Sequence, residues 1–574
     1  MTTDIRRHLL AAFFAGTAFA STALAHETGG EQRGKELFQP GLGHAATVSS
    51  APDRGRPALY DGLGTLKMKV TTKSKKAQAY FNQGWVLTWG FNHAEAQRAF
   101  QEAQRLDPDF AMAYWGEALV LGPNINDAMH AEAVLPAYTA IQRAMALRGK
   151  VSEKERALIE ALSERYGANA MADRAVLDRA WAEAMKKRAE RFSDDANVLA
   201  LYAEAMMNLQ PWDYWEADGE TPKKNATTIV SALEQALALD PDHPGAQHLY
   251  IHAVEASSTP ERAEAAADGL RGATPAVGHL LHMPSHIYMR VGRHGDSIAV
   301  NRDAVAADEK MLKMASDAAS PLFRYGYYPH DVHFLMVSAQ MAGVADSVFA
   351  AAEKLDRITS DEVSQQLAWV QAIKTATFTA HAQFTDAETI LALKNPGDRF
   401  PFVKGFWHYA RGVAHAAQGD VAKAQAEADA IGELVAKADM SGLEAQFLPA
   451  KTVLGIARHV IEARTAQAKQ DYAAAEALLR QAAELEAGLP YQEPPLWYYP
   501  VRQTLGAVFL QQGRPEEAAE AFQAALKKSP RNGWALWGLL QAQTALGDAE
   551  AKTTEAAFKK AWLGDRSMLT LDRL

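Results

Sequence analysis

Leu505-Gly-Ala-Val-Phe509-Leu-Gln-Gln-Gly513-Arg-Pro-Glu-Glu-Ala518-Ala-Glu-Ala-Phe522-Gln-Ala-Ala525-Leu-Lys-Lys-Ser-Pro530 reads as two helices folded against each other. Leu505 to Phe509 and Ala518 to Ala525 place apolar and small residues three and four apart, on one helical face, with Gly513 at the turn between them. Gly506, Ala518 and Ala525 let the two helices approach, Phe522 fills the gap, and Pro530 ends the second helix. The same order recurs near the other end of the chain, in Tyr80, Gly84, Leu87, Ala96, Phe100, Ala103 and Pro108. A helix pair of this kind cannot bury its apolar face alone, so it must stack on neighbours.

Between these two ends the chain continues helix after helix. Alanine, leucine, glutamate and glutamine dominate, and no alternating strand pattern with hairpin turns occurs. Leu-Asp-Pro241 and Pro275 close further units, while Gly292, Gly343, Gly419 and Gly547 fall at turns. Ser152-Glu-Lys-Glu155 is a capping-box pattern that opens a helix. These spacings closely resemble the tetratricopeptide repeat (TPR) family, whose period is about 34 residues. The resemblance implies an all-α, right-handed TPR-type α-solenoid, a superhelix of about ten or more helix pairs with no sheet beyond a stray bridge.

The N-terminus reads as an export signal. Arg6 and Arg7 precede an apolar run from Leu9 to Ala20, and Ala23-Leu24-Ala25 is an A-x-A site, so cleavage is expected after Ala25. The arginine pair also faintly resembles a twin-arginine signal. Residues 1–25 are thus a signal peptide, 26–72 a Gly/Pro/Ser-rich flexible segment, 73–394 a first solenoid half and 395–574 a second, divided by a loop near Asn395–Pro401. No later apolar run has membrane length, so a periplasmic or secreted protein without a membrane span is expected. The absence of cysteine excludes disulfides and thiolate metal sites. A net charge of −10, without a basic patch interleaved with aromatics, argues against nucleic acid as a partner.

Three short segments carry the chemistry: His248-Leu-Tyr-Ile-His252-Ala-Val-Glu255, His279-Leu-Leu-His282-Met-Pro-Ser-His286 and His330-Asp-Val-His333. From Gln247 to His333 the chain holds eight of its 18 histidines, where even spreading would give about three. Spacings of three and four point side chains from one helical face, and imidazole with carboxylate is the usual ligand set of zinc, copper(II) and non-haem iron. Magnesium and calcium prefer oxygen ligands and are disfavoured. The TPR resemblance implies that the first helix of each pair lines a concave groove. On that phasing His248, His252, Glu255, His279, His282, His286, His330 and His333 share the inner wall, with Trp85, Trp115 and Glu204 elsewhere in the groove. His248, His282 and His333 would form one level, and His252 and His286 the next. Trp212-Asp213-Tyr214-Trp215 follows a proline outside the helix pattern and could cover the groove mouth.

These segments, with Pro-Trp-Asp-Tyr-Trp, resemble a group of exported bacterial His-rich TPR proteins along Tyr80 to Leu546. That resemblance implies a shared site but names no reaction. Two functions fit the residues. One is a protein centred on a transition metal (zinc, copper or iron) that, if an enzyme, is a metal-dependent hydrolase or oxidoreductase in which Glu255 or Tyr250 assists. The other is an adaptor gripping a peptide or protein in the groove without catalysis.

Overall fold

The computed structural model describes residues 56–169, 171–315, 319–367 and 369–574. The expected signal peptide and residues 26–55 lie outside them. The described chain is helical from Lys75 onward, with no strand beyond two isolated bridges, Asn124 to Asp127 and Trp215 to Pro222. Successive helices pack in antiparallel pairs along a solenoid. None of the described helices is long and apolar enough to cross a membrane.

The notch inferred from the sequence is present at both ends. Phe100, fully buried on helix His93–Leu106, sits between Gly84 of the preceding helix and Gly116 of the following one. A Cβ at either glycine would come within 2.7 or 2.5 Å of its ring. Phe522 lies in the same way between Gly506 and Gly538, at 2.8 and 2.3 Å. Each phenylalanine therefore needs a glycine on both flanking helices, which is why the motif repeats. The capping box at Ser152 also forms, with the Glu155 amide donating to the Ser152 hydroxyl and the Ser152 amide to the Glu155 carboxylate.

The segment from Pro57 to Thr72 carries no helix but is bonded along its length to the solenoid. The Tyr60 amide donates to Gln83 at 2.8 Å, the Ala276 amide to the Gly62 carbonyl at 3.0 Å, and the Thr71 amide to Glu155 at 2.5 Å. Buried apolar side chains form two clusters, one from Met68 to Tyr327 and one from Ile298 to Leu574. The 395–400 loop is exposed except for Phe400, which belongs to the second.

The solenoid also folds back on itself. Helix Tyr328–Ala342 ends at Gly343, whose φ of +75° favours glycine. The Trp562 ring packs so closely there that a Cβ would be 2.3 Å away. The Leu563 amide donates to the Ala342 carbonyl at 2.9 Å, Trp534 Nε1 to the Gln340 carbonyl at 2.8 Å, and His294 Nε2 to the Pro530 carbonyl at 3.1 Å. This return brings the Tyr491–Pro500 segment over the helices that carry the histidines.

Candidate metal centre

Helix Pro244–Val254 starts with His243 as cap, its Nδ1 accepting the Ala246 amide at 3.1 Å, and with Pro244 in the first turn. Gly245 lets the Trp89 ring press against the helix, since a Cβ there would lie 2.2 Å from the indole. That approach brings the Trp89 carbonyl to His248, whose Nδ1 donates to it at 2.6 Å. Helix Gly278–His282 is followed by Pro284–Arg290, and the proline interrupts the ladder between His282 and His286. A π-helical turn, Phe323–Tyr327, feeds helix Tyr328–Ala342 and aims Tyr327 at His279, with ring centres 4.5 Å apart.

The histidines gather in two triads. His248, His252 and His279 form one, and His282, His286 and His330 the other; within each, ligand atoms lie within 4.8 Å of one another. His248, His252 and His279 are 0, 2 and 3 % exposed. Four of the six have their outward nitrogen held in place, His248 by the Trp89 carbonyl. His252 Nδ1 donates to Glu255 Oε1 at 2.7 Å, His282 Nδ1 to Asn301 Oδ1 at 2.6 Å, and His286 Nδ1 to Glu255 Oε2 at 2.6 Å and Glu493 Oε2 at 2.8 Å. Fixing Nδ1 on an acceptor leaves the Nε2 lone pair aimed inward, the orientation that metal-binding histidines take from their supporting shell. His248 Nε2, His252 Nε2 and both nitrogens of His279 have no hydrogen-bond partner among the described residues.

A third group, His252, Glu255, His286 and Glu493, also lies close enough to share an ion. Its N–O separations of 2.6–2.8 Å are hydrogen-bond lengths. Two ligands on a tetrahedral ion at about 2.1 Å stand about 3.4 Å apart. The carboxylates therefore orient the imidazoles, and the first triad, whose inner nitrogens share no hydrogen bond, is the better ion site.

Burial decides the charges. It pushes His252 and His330 down to about 3 and His248, His279 and His282 well below the usual histidine range, with neighbouring imidazoles adding to the effect. His286 alone moves up, to about 10, because Glu493 and Glu255 outweigh its own burial. Its Nε2 faces His282 Nε2 at 2.7 Å, so two lone pairs would collide unless a cation lay between them. In the metal-free protein the extra proton on His286 fills that place. Glu493 is raised to about 7 by burial and by Glu255.

Several expected residues fall elsewhere. His333 turns to the Tyr498 hydroxyl at 2.6 Å and joins neither triad, because three residues along a helix leave it about 60° short of His330's direction. The levels differ too: His282 pairs with His330, ring centres 4.8 Å apart, and His279 with His248 at 4.9 Å. Tyr250 donates its hydroxyl to Glu234 at 2.8 Å, on the far side of its helix from His248 and His252. Trp85 and Trp115 pack on each other in the first core, and Glu204 contacts Asn208 and Arg165. The aromatic loop packs on the helix that carries His252. Trp212 sets its edge on His252 at 4.8 Å, Trp215 Nε1 donates to the Ala253 carbonyl at 2.8 Å, and Asp213 pairs with Lys223.

Five participants were missing from the sequence reading: Phe91, Asn301, Tyr327, Tyr491 and Glu493. Phe91, at φ +52°, packs on His248 at 4.6 Å. Tyr491 donates to Glu255 Oε2 at 3.1 Å and lies 3.2 Å from Glu493 Oε2. Glu493 stands 207 residues from His286, in a proline-rich stretch without helical periodicity, so no local signal marks it.

Residues 509–551 match the family model described as tetratricopeptide repeat. No curated protein is significantly similar in sequence. Among solved structures, yeast Tom70 is 13% identical over 87% of this chain and 95% of its own, with a TM-score of 0.25. Human IFIT1, crystallised as a dimer with m7Gppp-AAAA, is 13% identical over 86% and 91%, at 0.26. Cut9, from an APC/C hetero-tetramer with Hcn1, is 14% identical over 85% and 78%, at 0.27. Similarity at this level has no bearing on function. The described chain is an all-helical solenoid with a tetratricopeptide repeat at 509–551 and buried histidine clusters that could hold a metal ion.

Proposed function

We propose that this is an exported metal-binding solenoid that holds a transition-metal ion (zinc, copper or iron) in the His248–His252–His279 triad. What supports it is the set of inward nitrogens buried without partners while Nδ1 of His248 and His252 is already fixed. Leaving such groups unpaired costs about 1–3 kcal/mol each, and one cation relieves them together. Export rests on the N-terminal signal pattern with cleavage after Ala25. If the ion is catalytic, the reaction is a metal-assisted hydrolysis or an oxidation, and Tyr491 is the hydroxyl at hand in place of Tyr250. An adaptor function is less well supported at this level of the groove, because the chain's own Tyr491–Pro500 segment covers it.

Elemental analysis of protein recovered from its export compartment is expected to find at least one of these metals per chain. The His252→Ala/His279→Ala variant is expected to lose it with unchanged helicity by circular dichroism. A metal-free protein that takes up neither Zn(II) nor Cu(II) in equilibrium dialysis would overturn the proposal.

A further inference from the structure

We infer that the centre holds two ions side by side, the second in the His282–His286–His330 triad and open to a small molecule from an adjoining cavity; this rests on the metal function proposed above. One ion cannot serve both triads. A tetrahedral ion accepts about four nitrogens at about 2.1 Å, whereas the triads share no histidine and form separate groups. Glu255 ties them together, with Oε1 on His252 of one triad and Oε2 on His286 of the other. The two rings stand 5.4 Å apart between centres.

The facing Nε2 atoms of His282 and His286 mark the second position. Asn301 occupies Nδ1 of the first, and Glu255 and Glu493 occupy Nδ1 of the second, so both inner nitrogens carry lone pairs in their neutral forms. Separated by 2.7 Å, they share the extra proton of His286 in the metal-free chain, and a metal ion taking the place of that proton spreads them by about 0.7 Å to ligand spacing. His330 closes the set from the next helix.

Acidic groups flank the triads: Glu255 and Glu493 bond their histidines, and Asp331 lies beside His282 with Asp308 as its buried neighbour. Asp331 Oδ1 stands 3.3 Å from His282 Nδ1, and Asp308 fits beside Gly278 only because that residue lacks a Cβ. The ion-pair partners of Glu255, Glu493 and Asp331 are His252, His286 and His282.

The two positions differ in access. Phe91, Trp212 and Tyr327 pack against rings of the first triad. A cavity of about 140 Å³ borders the second, lined by His286, Met289, Phe334, Tyr491, Glu493 and Trp497. That is room for a compact, largely apolar molecule the size of a single aromatic ring, with its polar end toward Glu493 and Tyr491.

Titration of the full-length metal-free chain with Cu(II) tests this, with azide as the probe of access. Two ions per chain are expected, with an electron paramagnetic resonance signal broadened or silenced by coupling. His248→Ala/His279→Ala and His282→Ala/His330→Ala are each expected to retain one ion, with a sharp mononuclear signal. Azide is expected to shift the visible absorption of the first variant and leave the second unchanged. Saturation at one ion in the unmodified chain would overturn the pair while leaving a metal protein standing. No binding at all would overturn the metal function itself. Azide acting on the second variant alone would overturn the assignment of access. Since the unmodified chain reports stoichiometry and coupling, misfolding of a variant does not shield the inference.

Discussion

Phe100 and His279 are both aromatic rings wedged between helices of one solenoid, yet they make opposite demands. Phe100 is fully buried against glycines on both sides and needs nothing more. His279 is 3 % exposed among His248, His252 and Tyr327, with neither nitrogen bonded. An apolar ring in a close-packed notch stabilises on its own, whereas a buried imidazole stabilises only once its lone pairs are met. The ends of the solenoid are therefore stable intrinsically and the middle conditionally.

The sharpest test of that contrast is the size of a truncation. Phe100→Ala and Phe522→Ala are expected to cost about 3–5 kcal/mol in urea unfolding, equally with and without metal. Saturating Zn(II) at about a thousandfold over its dissociation constant should add about 4 kcal/mol to the unmodified chain for each ion bound. His279→Leu should abolish the first triad's share of that gain, yet leave the metal-free chain unchanged or slightly more stable. A metal-free His279→Leu protein as damaged as Phe100→Ala would erase the distinction.

Acid should weaken the metal-free chain. His243 and His294 are held near 4 by burial, against 6.5 when unfolded, so from pH 6.5 down to about 4 the unfolded chain binds protons that the folded one refuses. Stability falls as pH drops through that window, by about 2 kcal/mol per such group at pH 5. His294→Asn should remove about that much of the loss in unfolding measured at pH 7 and pH 5. His286 has the opposite sign: its raised value favours folding below pH 6.5, and the benefit fades as pH rises toward about 10. The smallest effect belongs to Tyr498→Phe, which leaves His333 without its partner. About 1 kcal/mol should be lost, with metal stoichiometry unchanged.

The repeat was readable because its signal is local: Gly84, Phe100, Gly506 and Phe522 fall within one helix pair, and spacing alone brings them together. The histidine segments were readable for the same reason, as i, i+3 and i, i+4 sets. Their division into triads was not. It depends on the break at Pro284 and the π-helical turn before Tyr328, which rotate His286 and His330 relative to a regular helix. Tyr250 shows the limit from the other side. It lies between two site histidines in sequence, but two residues along a helix is about 200° of rotation, and its hydroxyl ends on Glu234.

The fold-back that delivers Glu493 also imposes an order of events. His286 and its carboxylate partner are 207 residues apart, so a chain still being synthesised presents imidazoles long before the acidic strap arrives. An early ion would meet a wide, solvent-filled surface and exchange freely. Only a chain that has closed on itself can bring Glu493 to His286 and complete the second position. Retention of the second ion through gel filtration thus reports the closed chain, and a protease nick near residue 490 would loosen that ion without touching a single histidine.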